Sequence, residues 1–169
     1  GRGVVRVDPQ CLHASATLGY LEQQPKFEAG RTVWDEAHAA LAAIADLAQH
    51  SEDLAHAIGA ETDDAERKRL EQRFEHIQHQ LQHHDAYNLD YRIERVLEGL
   101  GFTKSTFQQE VDKLSGGQQN RLMLAKLLLA EPDLMLLDEP SNHLDIDATQ
   151  WLEEFLIASD QAILVVSHD

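Results

Sequence analysis

Leu114-Ser115-Gly116-Gly117-Gln118, taken with Leu134-Met135-Leu136-Leu137-Asp138-Glu139-Pro140, decides the fold. The second stretch is a short apolar run ending in two adjacent carboxylates. Such a run suits a buried parallel strand whose carboxyl end opens onto a ligand crevice. In the first stretch Ser115 precedes Gln118 by the spacing of a capping box. It opens an apolar-periodic helix through Leu122, Leu124, Ala125, Leu128 and Leu129. Gly116 and Gly117 leave the first-turn amides open, and free N–H groups beside a serine hydroxyl make a phosphate site. Each piece alone has a plainer explanation: a cap and turn for Ser115, a strand-end cap for Asp138.

Two further pieces complete the pattern. Ser141-Asn142-His143-Leu144-Asp145 follows the carboxylates directly, and a second apolar strand, Ala162 to Val166, leads into Ser167-His168-Asp169. With these four motifs in this order, the chain resembles an ATP-binding-cassette ATPase: signature, Walker B, D-loop and switch histidine. The resemblance implies an α/β fold, a partial doubly wound ATPase core with an inserted antiparallel α-helical arm hairpin. It implies ATP and Mg²⁺ as cofactors. Ser115, Gly116, Gly117, Gln118 and Asp145 would serve nucleotide, Asp138 the metal, Glu139 as general base, and His168 the γ-phosphate and attacking water.

Composition narrows the setting. Fourteen basic against thirty acidic residues give a net charge of −16, wrong for a generic nucleic-acid coat. The single cysteine, Cys11, rules out an internal disulfide framework. No run approaches the length of a membrane span, and no leader pattern opens the chain. A cytoplasmic location, no membrane partner and no DNA partner are the expectations.

Residues 1–30 read as partial ATPase core, with strands at Val4-Val5-Arg6-Val7 and roughly Thr17 to Glu22. Pro25 forces an exit, and Gly19-Tyr20-Leu21-Glu22-Gln23 resembles a Q-loop, which would make Gln23 a metal and water ligand. Residues 31–100 read as a helical insertion. Trp34, Ala37, Leu41, Ile44 and Ala48 form one narrow seam from Val33, broken at Gly59-Ala60-Glu61-Thr62. Asp63 with Glu66 can start the next helix, whose seam is Leu70, Phe74, Ile77 and Leu81. Its basic run, Arg67-Lys68-Arg69, is expected to pair with Glu71 and other neighbours. His76, His79, His83 and His84 fall at helical spacing but read as a solvated arm face rather than a metal site. A third helix, Leu89 to Leu100, returns to the core with stops at Gly99 and Gly101. Residues 101–169 carry the signature helix, Walker B, D-loop and switch histidine.

About ninety residues separate Gln23 from Ser115. An extended arm at this point resembles the first cassette of ABC-F proteins, soluble tandem-cassette ATPases that act on ribosomes. That resemblance implies a second cassette of the same chain and the ribosome as partners. Residues 33–100 hold fifteen acidic and six basic side chains, which suits a basic ribosomal protein as the arm's contact. Two alternatives stay open: the nucleotide-binding subunit of a membrane transporter, and a non-catalytic interaction module.

No G-x-x-x-x-G-K-[ST] loop occurs, since Lys26, Lys68, Lys104, Lys113 and Lys126 all follow residues other than Gly. The expectation is an internal piece of a longer chain, inactive alone. Its sheet would lack the P-loop strand, expected beside the strand that carries Asp138.

Overall fold

A computed structural model describes residues 17–21, 27–83, 88–159 and 161–167. Three short strands, β1 (Leu18–Tyr20), β2 (Leu134–Asp138) and β3 (Ala162–Val166), form a parallel sheet in the order β1-β2-β3. Leu18 pairs with Leu134, and Leu134 with Ala162, so all three strands enter in register. Asp133 sets that register. Its carboxylate accepts from the Thr17 amide (2.7 Å) and hydroxyl (2.9 Å), and its carbonyl accepts from Ala162 N (3.1 Å).

Burial along β2 alternates, with Met135 and Leu137 at 0% and 1% exposure, as a covered sheet face requires. Both sides of β2 are taken by β1 and β3, so a further strand cannot lie beside the Asp138 strand. This corrects the expectation above. An added strand would have to join at an outer edge, and β3 leaves Leu164, Val165 and Val166 at 36–51% exposure.

The helices are α1 (Val33–Ala40), α2 (Ala42–Ala60), α3 (Asp64–His83), α4 (Leu89–Gly99), α5 (Gly116–Ala130) and α6 (Ile146–Ile157). The seam expected to run unbroken from Val33 is split between α1 and α2 at Leu41. There φ −97° and ψ 5° depart from helix, and the Leu41 amide donates to His38 O (2.9 Å). Ala37, Leu41 and Ile44 nevertheless stay buried across the joint. Trp34 is only half-buried and stacks on Phe107 (5.6 Å), while Val33 takes the fully buried place.

α2 and α3 form the expected antiparallel hairpin, turning at residues 61–63. Asp63 caps α3, accepting from Ala65 N (3.0 Å) and Glu66 N (2.9 Å). Within the hairpin Ser51 is buried and accepts from Gln78 Nε2 (2.7 Å). The basic run pairs with a neighbouring acid, as expected, though one other than Glu71. Arg69 meets Glu66 (3.0 Å), and Arg67 donates to the Glu61 carbonyl (2.8 Å), because the turn brings a bare helix-end carbonyl within reach. Expected features at Val4–Val7 and His84, and the roles of Gln23 and His168, fall outside the described residues.

α4 ends through Gly101, whose φ of +80° is a left-handed stop. Gly99 serves a different purpose: a Cβ there would lie 2.0 Å from the Trp151 ring on α6. The core is one cluster joining Val33, Leu41, Ile93, Leu97, Leu122, Leu128 and Met135, with α1 and α4 both packed against α5.

Candidate functional site

The helix α5 begins as its sequence dictates. Ser115 Oγ accepts from Gln118 N (3.3 Å), and Gln118 Oε1 accepts from Ser115 N (2.9 Å), a complete capping box. The serine keeps its own proton to donate. Ser115 and Gly116 are exposed, and a Cβ built on Gly116 meets nothing within 4 Å. An anion can therefore approach these amides closely. Gly117 faces inward, where a Cβ would lie 3.4 Å from His143 Cβ.

The carboxylates stand at the carboxyl end of β2. Glu139 leaves the strand with φ 49°, a left-handed conformation uncommon for a side-chain-bearing residue. Its amide donates to Val166 O (2.8 Å), and its carbonyl accepts from Asn142 N (3.1 Å). The chain folds back at once through Pro140 and His143 (φ 71°) into α6. Asp145 is the N-cap of α6, its Oδ1 accepting from Ala148 N (2.8 Å).

A cavity of about 210 Å³ opens here, lined by Leu21, Asn120, Arg121, Leu124, Asp138, Glu139, Pro140, Asn142, His143 and Leu144. The structure thus gathers Asp138 and Glu139 with the D-loop and the second turn of α5. It does not bring Ser115, Gly116 or Gln118 into that cavity; they lie on the outer end of the same helix. Asn142 and His143 belong to the D-loop stretch read from the sequence, whereas Asn120 and Arg121 were not singled out there. The signal for Arg121 was its place six residues after Ser115, on the helix face that also carries Leu124 and Leu128. Arg121 Nη1 donates to Leu100 O (3.1 Å), and its guanidinium stacks over Phe102 (5.5 Å).

The donor set suits the cofactors the motifs imply. Carboxylate oxygens at an open strand end are hard ligands of the kind Mg²⁺ takes together with water and phosphate. The uncovered Gly116 and the Ser115 hydroxyl form a surface a phosphate can approach.

A family model described as "ABC transporter" matches residues 3–142. The chain belongs to the ABC transporter family. This family member is 35% identical over 158 residues to the energy-dependent translational throttle protein EttA of Mycobacterium tuberculosis, covering 94% of this chain and 27% of that one. It is 35% identical over 153 residues to ABC transporter F family member 2 of Arabidopsis thaliana, covering 90% and 23%. The resemblance to ABC-F proteins read from the motifs is thereby borne out among its relatives. The chain spans about a quarter of the length of these relatives. The fold matches an ATP-binding subunit of an ABC transporter with a TM-score of 0.55 at 18% identity, over 90% of this chain and 48% of that one. The α/β cassette fold expected from the sequence is confirmed. Among the described residues no helix is long and apolar enough to cross a membrane.

Proposed function

We propose that these residues are the signature-bearing part of an ABC-F-type ATPase, which couples ATP binding and hydrolysis to an action on the ribosome. The observation that carries this reading is the arrangement on α5 and β2. An open capped helix end, fit for phosphate, lies on the outside of the same unit whose inner cavity holds Asp138 and Glu139. One face therefore serves nucleotide held by a partner cassette, and the other serves nucleotide held by this cassette's own phosphate-binding loop, from outside residues 1–169.

In that sandwich Asp138 holds Mg²⁺, which supplies charge neutralisation at the transferred phosphoryl group. Glu139 takes the proton of the attacking water. The Ser115 hydroxyl and the amides of Gly116 and Gly117 donate to the partner's γ-phosphate, while Gln118 holds the serine in place. Asp145 fixes the D-loop between the two sites by capping α6. Gln23 and His168 complete the water and γ-phosphate contacts, as the resemblance implies. The relatives named for translation and for the F family support the ribosome as target, and the acidic arm supports a basic ribosomal protein as its contact. A cytoplasmic location accords with this role.

Co-sedimentation of the complete protein with purified ribosomes tests the reading, with and without a slowly hydrolysed ATP analogue. ATP-dependent association is expected. Association with permease-containing vesicles and none with ribosomes would assign the chain to a transporter instead.

A further inference from the structure

Outside the cavity, one buried ionic group is left unused by this chemistry. Glu36 of α1 is 2% exposed, and a buried carboxylate is costly unless paired. Its Oε2 accepts from Nζ of Lys126 on α5, and its Oε1 lies 3.9 Å from Arg31 Nη1. The same Lys126 ammonium stands 5.5 Å from the Phe27 ring centroid. These groups border a second cavity of about 390 Å³.

Three segments meet at that point. Phe27 follows Gln23 by four residues, α1 leads through Leu41 into the arm, and α5 starts at the signature serine. Lys126 lies eleven residues along the helix from Ser115, about 16 Å at 1.5 Å per residue. An α-helix of this length moves as a rod, so a shift at Lys126 reaches Ser115. Apolar contacts between α1 and α5 tolerate sliding, but a buried ion pair is satisfied only where its two side chains meet.

We propose that Glu36 and Lys126 are positioning residues for ATP hydrolysis. Their buried pair locks the root of the arm to the signature helix, so that Ser115 is aimed by the arm's position. This rests on the ATPase reading given above.

The test uses the complete protein, with steady-state ATP hydrolysis measured with and without ribosomes for Glu36→Gln, Lys126→Met, Lys126→Arg and the double variant Glu36→Leu/Lys126→Leu. The double variant removes both charges and refills the space, so it should melt close to the wild type. It and Lys126→Met should keep KM for ATP within about 2-fold yet lose about 10-fold or more in kcat, as misplacement of a remote group does. They should also lose any stimulation by ribosomes, and Lys126→Arg should recover most of both. A well-folded double variant with wild-type kcat would overturn the proposal, as would a loss confined to KM. A wild type that hydrolyses ATP but ignores ribosomes would count against the ribosomal reading, while the basal kcat of the variants still judged the pair.

Discussion

The amide of Glu139 donates to the carbonyl of Val166 at 2.8 Å, joining the candidate general base to the end of the neighbouring strand. The bond continues the β2–β3 ladder one residue past Asp138. Glu139 is thus held in its left-handed turn by backbone pairing at the lining of the cavity.

The stretch 1–169 on its own should neither bind Mg–ATP at micromolar concentration nor hydrolyse it. Most ground-state phosphate contacts in such enzymes come from a P-loop, which the sequence does not contain. Isothermal calorimetry decides this. Saturable binding to the isolated chain would show that the signature half-site suffices.

Gly99→Ala should destabilise the fold despite the better helix former. Alanine gains roughly 0.8–1.0 kcal/mol in helix propensity. A methyl 2.0 Å from the Trp151 ring forces the ring or α4 to move, a cost of about 1–3 kcal/mol. Thermal or urea unfolding should show a net loss, and an unchanged midpoint would mean that Trp151 rearranges freely.

The root of the arm is pinned by a cap. Thr32 Oγ1 accepts from Asp35 N (3.1 Å), and Asp35 Oδ2 accepts from Thr32 N (3.0 Å). The Thr32 backbone bond, then its hydroxyl bond, hold the Asp35 carboxyl below its ordinary range. A lowered folded value means that the contribution is fully present above the unfolded carboxylate range and is lost as pH falls through the folded value. Thr32→Ala should therefore cost about 0.5–2 kcal/mol near neutral pH, with a smaller difference under acid conditions. Chemical unfolding at several pH values checks both the size and the trend.

If the arm meets a basic protein, reversing its free acidic charges should weaken ribosome association and flatten its salt dependence. The tip acids Glu61 and Asp63 are poor choices, because Glu61 Oε1 accepts from Thr62 N (2.8 Å) and Asp63 caps α3. Glu71→Lys with Glu75→Lys, both exposed on α3, alters charge without touching the turn. Stronger association after reversal would place RNA opposite the arm.

Much of this was legible because the decisive residues act locally. Ser115 and Gln118 satisfy each other within one helical turn, and Gly101 stops α4 by its own backbone freedom. The hairpin seam, likewise, is a matter of spacing along α2 and α3. What was not legible depends on residues far apart in the chain. The break at Leu41 follows from docking α1 on α5 while α2 departs along the arm, which periodicity does not register. Arg121 enters the cavity only because α5 packs over β2, and Glu36 reveals its partner ninety positions away only once α1 and α5 lie side by side. The neighbour order of the sheet was misjudged for the same reason, since strand adjacency is set by crossovers and not by composition.

The most direct test of the central claim is ATP turnover by the complete protein carrying Glu139→Gln. The amide keeps the size of the carboxylate but cannot accept the proton of the attacking water. Hydrolysis should fall about 10²–10⁴-fold, while equilibrium binding of ATP stays near wild type and the nucleotide-bound form accumulates. Asp138→Asn should instead weaken Mg²⁺-dependent binding as well. Turnover by the Glu139→Gln protein within a few-fold of wild type, with ATP still bound, would contradict the assignment of Glu139 as the general base and with it the mechanism built on this site.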